Sequence, residues 1–214
     1  NTMSSTILKA ELLKMLSVKH ENLNTFLGVC LDAEIPCILM SYASRGSLYD
    51  IIHMETTKLS TDVKQSLILD VALGMRYLHN SSIEFHGHLS SQNCVVDFRW
   101  ICKVTDYALL KIISTSHGQT SSENGPPAGK LLWRAPELMT SYDPLRGTKP
   151  GDVYSFGVIV QEVTLQDEPF AEKELEPEEI VKKIKEGDRS MRPDVPDSNY
   201  CLFSSFLLMP HWLQ

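Results

Sequence analysis

The segment His86-Gly87-His88-Leu89-Ser90-Ser91-Gln92-Asn93, with Asp106-Tyr107-Ala108 beginning thirteen residues after its asparagine, constrains the fold of this chain more than any other feature. Between the two lie short alternating runs, Cys94-Val95-Val96 and Ile101-Cys102-Lys103-Val104, which predict a pair of strands. These strands carry Asn93 and Asp106 on their flanks. A helix is predicted just before the loop, over about 61–80. Ser60 or Thr61 is placed to cap it, and Asp62 suits the dipole of its first turn. Val63, Leu67, Val71, Gly74 and Leu78 recur every three or four residues and form a core-facing stripe. The polar Asn80-Ser81-Ser82 ends the helix, and Ile83 to Phe85 lead into His86.

Three further signals stand in a fixed order around this loop. Upstream, Glu11 precedes His20-Glu21-Asn22-Leu23 by nine residues; downstream come Ala135-Pro136-Glu137 and then Asp152-Val153-Tyr154-Ser155-Phe156-Gly157. Taken together, the set resembles the protein kinases. The resemblance implies an α+β, two-lobed fold with a truncated small lobe that starts at its regulatory helix. The large lobe would be mainly helical and cut near its C-terminal end. Residues 1–43 would form the partial small lobe and hinge, and residues 44–214 the large lobe. In a kinase the loop reads His-Arg-Asp-Leu-Lys-x-x-Asn: its Asp accepts the substrate hydroxyl's proton, and its Asn and the Asp of Asp-Phe-Gly hold magnesium. Here His88 replaces the catalytic Asp and Ser90 the Lys, whereas Asn93 and Asp106 remain. No catalytic residue is therefore assigned, and Asn93 and Asp106 are the expected magnesium ligands.

Within that family the chain most resembles the kinase-homology domain of membrane receptor guanylate cyclases. The stretches that carry the likeness are Phe26-Leu27-Gly28-Val29-Cys30, Ser44-Arg45-Gly46-Ser47-Leu48, His86 to Asp97 with Lys103-Val104-Thr105-Asp106-Tyr107, and Lys130 to Leu138 with Gly151 to Gly157. The resemblance implies a regulatory domain without phosphotransferase activity, lying on the cytoplasmic side of a single-pass receptor at the plasma membrane. It also implies as partners a cyclase domain, which converts GTP to cyclic GMP, and a second copy in a dimer. Weak binding of ATP with magnesium is expected, with Met40 as gatekeeper, Ser41-Tyr42-Ala43 as hinge and Val95 as an apolar floor under the base. Nucleotide contacts are thus expected at Met40, Ser41, Ala43, Val95, Asn93 and Asp106. Met40 also reads simply as a core methionine. The rival functions are a protein kinase with an atypical base and a scaffold that binds no nucleotide.

Glu11, Glu137 and Asp152 are expected to be structural. Glu11 lies on the margin of an amphipathic helix over 4–20 whose stripe is Leu8, Leu12, Met15 and Leu16; in a kinase this Glu pairs with a phosphate-gripping Lys, and otherwise it is a solvated carboxylate near Lys14. The kinase Glu equivalent to Glu137 forms a buried ion pair with an Arg beyond Trp212. Without that Arg, Glu137 must find another donor, take up a proton or face water. His88 could be imagined as a replacement base, since imidazole titrates near neutrality, but a structural or regulatory histidine is the preferred reading. Ala108, where kinases have Gly, restricts the backbone.

Strands over 25–30 and 37–40 are expected to form a hairpin around a turn at 32–36, followed by a short helix over 47–53. Ser114 to Gly129, rich in Ser, Thr, Gly and Pro, reads as a loop in the activation-segment position whose serines are candidates for phosphorylation. Glu176-Pro177 opens a helix that buries Ile180, Val181 and Ile184 and stops at Gly187.

With 214 residues, 43% of them apolar, the chain can bury one sizeable core. A net charge of −7 argues against a nucleic-acid or anionic-membrane surface. The apolar run Cys201 to Met209 is interrupted by Ser204 and Ser205 and falls short of the roughly 20 residues of a membrane span. The five cysteines, Cys30, Cys37, Cys94, Cys102 and Cys201, are irregularly spaced in apolar runs and are expected to be reduced, buried thiols.

Overall fold

The computed structural model describes residues 2–30, 37–54, 58–109, 112, 126–139 and 147–192. The expected turn at 32–36, most of the loop over 114–129, and Cys201 with the apolar run around it lie outside these residues. The element order is α1 (Thr2–Ser17), β1 (Phe26–Cys30), β2 (Cys37–Met40), α2 (Leu48–Ile52), α3 (Thr61–His79), β3 (Cys94–Val96), β4 (Cys102–Val104), α4 (Ala128–Leu131), α5 (Pro136–Met139), α6 (Lys149–Leu165) and α7 (Pro177–Lys185). The fold is α+β, with far more residues in helices than in strands and two small antiparallel sheets, β1–β2 and β3–β4.

The helix ends follow local chemistry. Ser60 caps α3 by accepting the Val63 N–H, and Thr148 caps α6 by accepting from Gly151, with Pro150 inside the first turn. Ser47 and Asp50 form a reciprocal capping box on α2, which runs over 48–52, one residue shorter at each end than the sequence suggests. Pro177 starts α7, and Gly187 follows its end at φ +79°, a conformation favoured by glycine.

α3 forms the centre of the molecule and packs against α6 and β4. Leu67, Ile68, Val71, Met75 and Leu78 are fully buried on it, each such side chain contributing about 1.5–3 kcal/mol of apolar burial. Gly74 sits where the stripe meets the 22–24 segment: a Cβ there would lie 2.4 Å from the Asn22 carbonyl oxygen. That segment runs beside β4, with Val104 N–H donating to Asn22 O at 2.9 Å and Asn24 N–H to Val104 O at 2.8 Å. The segment between α1 and β1 is thereby stitched to the hairpin that carries Asn93 and Asp106.

Several sequence expectations need correction. α1 spans 2–17 rather than 4–20, and it turns Glu11, Met15 and the following Val18 inward while Leu16 stays 48% exposed. The inward face is thus rotated from the predicted stripe, because only one side of α1 has a neighbour to cover it. Ala128 and Gly129, expected in a loop, belong to α4. Cys94 and Cys102 are buried thiols as expected, but Cys30 and Cys37 are exposed. Alternation along a strand separates two faces; on this two-stranded sheet it does not decide that both are covered.

Candidate functional site

The loop over 86–93 is held from below by the first turn of α6. Asp152, 1% exposed, accepts from His86 N–H at 2.7 Å and Gly87 N–H at 2.8 Å, and from His79 Nε2 at 2.9 Å. Gly87 adopts φ +87°, which lets two successive N–H groups converge on one carboxylate. His86 donates through Nε2 to Thr105 O at 2.8 Å, joining the loop to the residue before Asp106. Burial pushes its pKa down, and with the proton on Nε2 the other ring nitrogen faces the His88 N–H at 3.4 Å.

His88 follows as a half-buried ring stacked obliquely on His86, with centroids 4.5 Å apart. Its Nδ1 is buried and has no hydrogen-bond partner. Burial, reinforced by the neighbouring His86 and by Arg134, pushes its pKa down to about 3. Ordinary imidazole titrates near neutrality, so this ring is held neutral there.

Asn93 and Asp106 are brought to the same end of the β3–β4 hairpin, where Thr105 N–H donates to Asn93 O at 2.9 Å. Asn93 directs its amide nitrogen to His88 O at 3.0 Å, which leaves the amide oxygen for another partner. Asp106, half-buried, makes no side-chain hydrogen bond or ion pair with another described residue. It stands at φ +60°, and Ala108 at φ +64°. Tyr107 between them is fully buried; it donates to Asn24 O at 2.7 Å, and burial pushes its pKa up to about 12.

Met40, expected as gatekeeper, and Ser41 and Ala43, expected in the hinge, are half-buried, and Met40 lies opposite Phe26 across the β1–β2 ladder. Ser41 N–H is committed to Thr25 O at 2.8 Å. Beyond the hinge, Arg45 N–H donates to Val96 O and Val96 N–H to Gly46 O, while Ser47 bridges to Val95. This seam carries the hinge segment alongside β3 and its half-buried Val95.

The three residues expected to be structural have different fates. Asp152 is the buried anchor described above. Glu11 is 9% exposed rather than solvated: Lys14 Nζ reaches its Oε1 at 2.7 Å, and its buried Oε2 has no partner. Glu137 is exposed, at the edge of a cavity of about 650 Å³ also lined by Tyr154, Arg189 and Arg192. Burial first, and then Glu137, push the Tyr154 hydroxyl up to about 12.

Two groups at this centre are absent from the sequence reading. His79 is one, and Glu162 the other. Glu162, with no exposure, accepts from Ser91 Oγ at 2.9 Å and from Trp133 Nε1 at 2.6 Å, tying the loop to the residues before Ala135. A lone carboxylate inside Val158-Ile159-Val160-Gln161-Glu162-Val163 is the signal that could have found it. Among the described residues no group of three or more His, Cys, Asp or Glu could hold a metal by itself.

A sequence profile described as protein tyrosine and serine/threonine kinase matches residues 1–206. The chain is 41% identical over 209 residues to atrial natriuretic peptide receptor 2 of Anguilla japonica, covering 95% of this chain and 20% of that receptor. Against the receptor of the same name from Homo sapiens it is 42% identical over 189 residues, 86% of this chain and 18% of the relative. The receptor-type guanylate cyclase Gyc76C of Drosophila melanogaster is 37% identical over 182 residues, 83% of this chain and 12% of the relative. The chain thus spans a fifth or less of the length of these relatives.

Proposed function

We propose, since this chain belongs to the protein tyrosine and serine/threonine kinase family, that it is a catalytically degenerate kinase-homology domain with a regulatory role in a receptor guanylate cyclase. The observation that carries this reading is His88. A general base must reach the proton it abstracts, so geometry comes before pKa. The residue in the base position here is an imidazole, in place of a carboxylate, whose Nδ1 is buried and unpartnered and whose ring is stacked on His86.

The residues that remain fit a weak magnesium nucleotide site. Magnesium is commonly bound through one or two protein oxygen donors, with phosphate and water oxygens completing the shell. Asn93 Oδ1 and the Asp106 carboxylate are such donors. With Ser41 N–H already used, a purine edge would be met by the Ser41 carbonyl and the Ala43 N–H, between Met40 and Val95. In the parent protein the domain would lie on the cytoplasmic side and pass an extracellular ligand signal to a cyclase domain, with a second copy as dimer partner. The similarity to Gyc76C and the natriuretic peptide receptors supports that placement.

The test is phosphotransfer from radiolabelled ATP with magnesium. No incorporation above an Asp106→Asn control is expected, either for the chain as it stands or for His88→Asp; incorporation above that control by the unmodified chain would overturn the reading. A small rise in melting temperature with ATP and magnesium, lost in Asp106→Asn, is the expected mark of binding. Its absence would favour a scaffold that binds no nucleotide.

A further inference from the structure

Two thiols face each other on the surface of the β1–β2 hairpin. Cys30 is the register partner of Cys37 at the end of the ladder, and both are exposed. Directly opposed residues on antiparallel strands have Cα atoms about 4.5 or 5.5 Å apart, according to the type of pair. A disulfide needs Cα atoms about 4.4–6.8 Å apart, so either type brings the two within bridging range while the strands stay paired.

The second pair of cysteines is a built-in contrast. Cys94 lies opposite Val104 and Cys102 opposite Val96, so these two are diagonal, and both are buried. The hydrogen bond with Cys94, then burial, push the Cys102 thiol pKa up. Thiol reactivity requires access and the thiolate, which separates the exposed pair from the buried one.

We propose that Cys30 and Cys37 form a reversible dithiol–disulfide site, closed by low-molecular-weight disulfides such as glutathione disulfide. One thiolate attacks a sulfur of the oxidant, forming a mixed disulfide and releasing one glutathione thiol. The facing thiolate then attacks the protein sulfur of that mixed disulfide and releases the second. Two electrons pass to the oxidant, and the two protons from the cysteines end on the released thiols. Excess reduced thiol runs the sequence backwards, so the site follows the redox poise of its compartment. β2 runs from Cys37 to Met40 and directly into Ser41, so closure would clamp the far end of the strand that leads into the hinge.

The experiment uses the chain carrying Cys201→Ser, reduced and then exposed to glutathione disulfide, followed by intact mass and peptide mapping. The expected product has lost two hydrogens, contains a bond between residues 30 and 37, and regains both hydrogens on reduction. Adding Cys30→Ser or Cys37→Ser should stop the reaction at a single glutathione adduct. Phenylarsine oxide, which needs two neighbouring thiols, should bind the reduced chain and lose that binding after prior oxidation, a readout that requires no further substitution. Stable glutathione adducts on both cysteines, a bond involving Cys94 or Cys102, or no reaction at either thiol would overturn the proposal.

Discussion

Ala108 occupies the left-handed region at φ +64° while its methyl group is almost completely buried, 2% exposed. For a residue with a Cβ that conformation costs about 1–2 kcal/mol. Replacement by glycine relieves the strain but removes a methyl worth about 0.8 kcal/mol of burial. Ala108→Gly should therefore raise stability by up to about 1 kcal/mol, whereas the β-branched Ala108→Val should lower it by about 1–3 kcal/mol, both read from urea midpoints. Asp152 lies at the opposite extreme of sensitivity. Its carboxylate satisfies two backbone donors and one imidazole in the interior, so Asp152→Ala should destabilise by about 3–5 kcal/mol. His79→Ala should cost less, because the two backbone donors keep their acceptor. Asn93, Asp106 and Asp152 could be picked out from motif spacing alone. The lowered pKa of His88 could not, because it comes from the groups that pack around the ring.

At the scale of elements, α6 serves as a post against which the loop and the residues before Ala135 are both fixed, through Asp152 at its start and Glu162 near its end. Burial pushes the Glu162 pKa up to about 8, against an ordinary 4.5, although Trp133 and Ser91 pull it the other way. The folded form thus holds a proton that the unfolded chain releases from about pH 4.5 upward. The stability tied to this proton is complete below pH 4.5 and is lost as pH rises toward 8, at about 1.4 kcal/mol per pH unit. Glu162→Gln should remove that slope; unfolding in urea at pH 5, 6, 7 and 8, compared with the unmodified chain, measures the difference. Helices α1, α2, α3 and α7 were legible because caps, helix-starting residues and 3.6-residue stripes are local, whereas α4 was expected as loop. The inward face of α1 and the exposure of Cys30 and Cys37 were not, since each depends on whether a second layer covers a given side.

For the whole molecule, Glu137 tests how the large lobe manages a carboxylate that kinases bury. It is exposed at the rim of the cavity bounded by α5, α6 and α7. Glu137→Gln should therefore change stability by no more than about 0.5 kcal/mol, as surface substitutions usually do. A larger loss in the denaturant midpoint would show that the charge supports the 130–138 segment. The sequence by itself determined the kinase-like frame, with His88 standing where the kinase motif writes Asp, because these follow from residue identity and spacing. Tertiary structure alone decided that burial pushes the His88 pKa down, that Glu162 joins two segments some forty residues apart, and that Cys30 and Cys37 face solvent while Cys94 and Cys102 do not. Burial, pKa and reactivity depend on what the rest of the chain brings near a group, and distance along the chain does not reveal those neighbours.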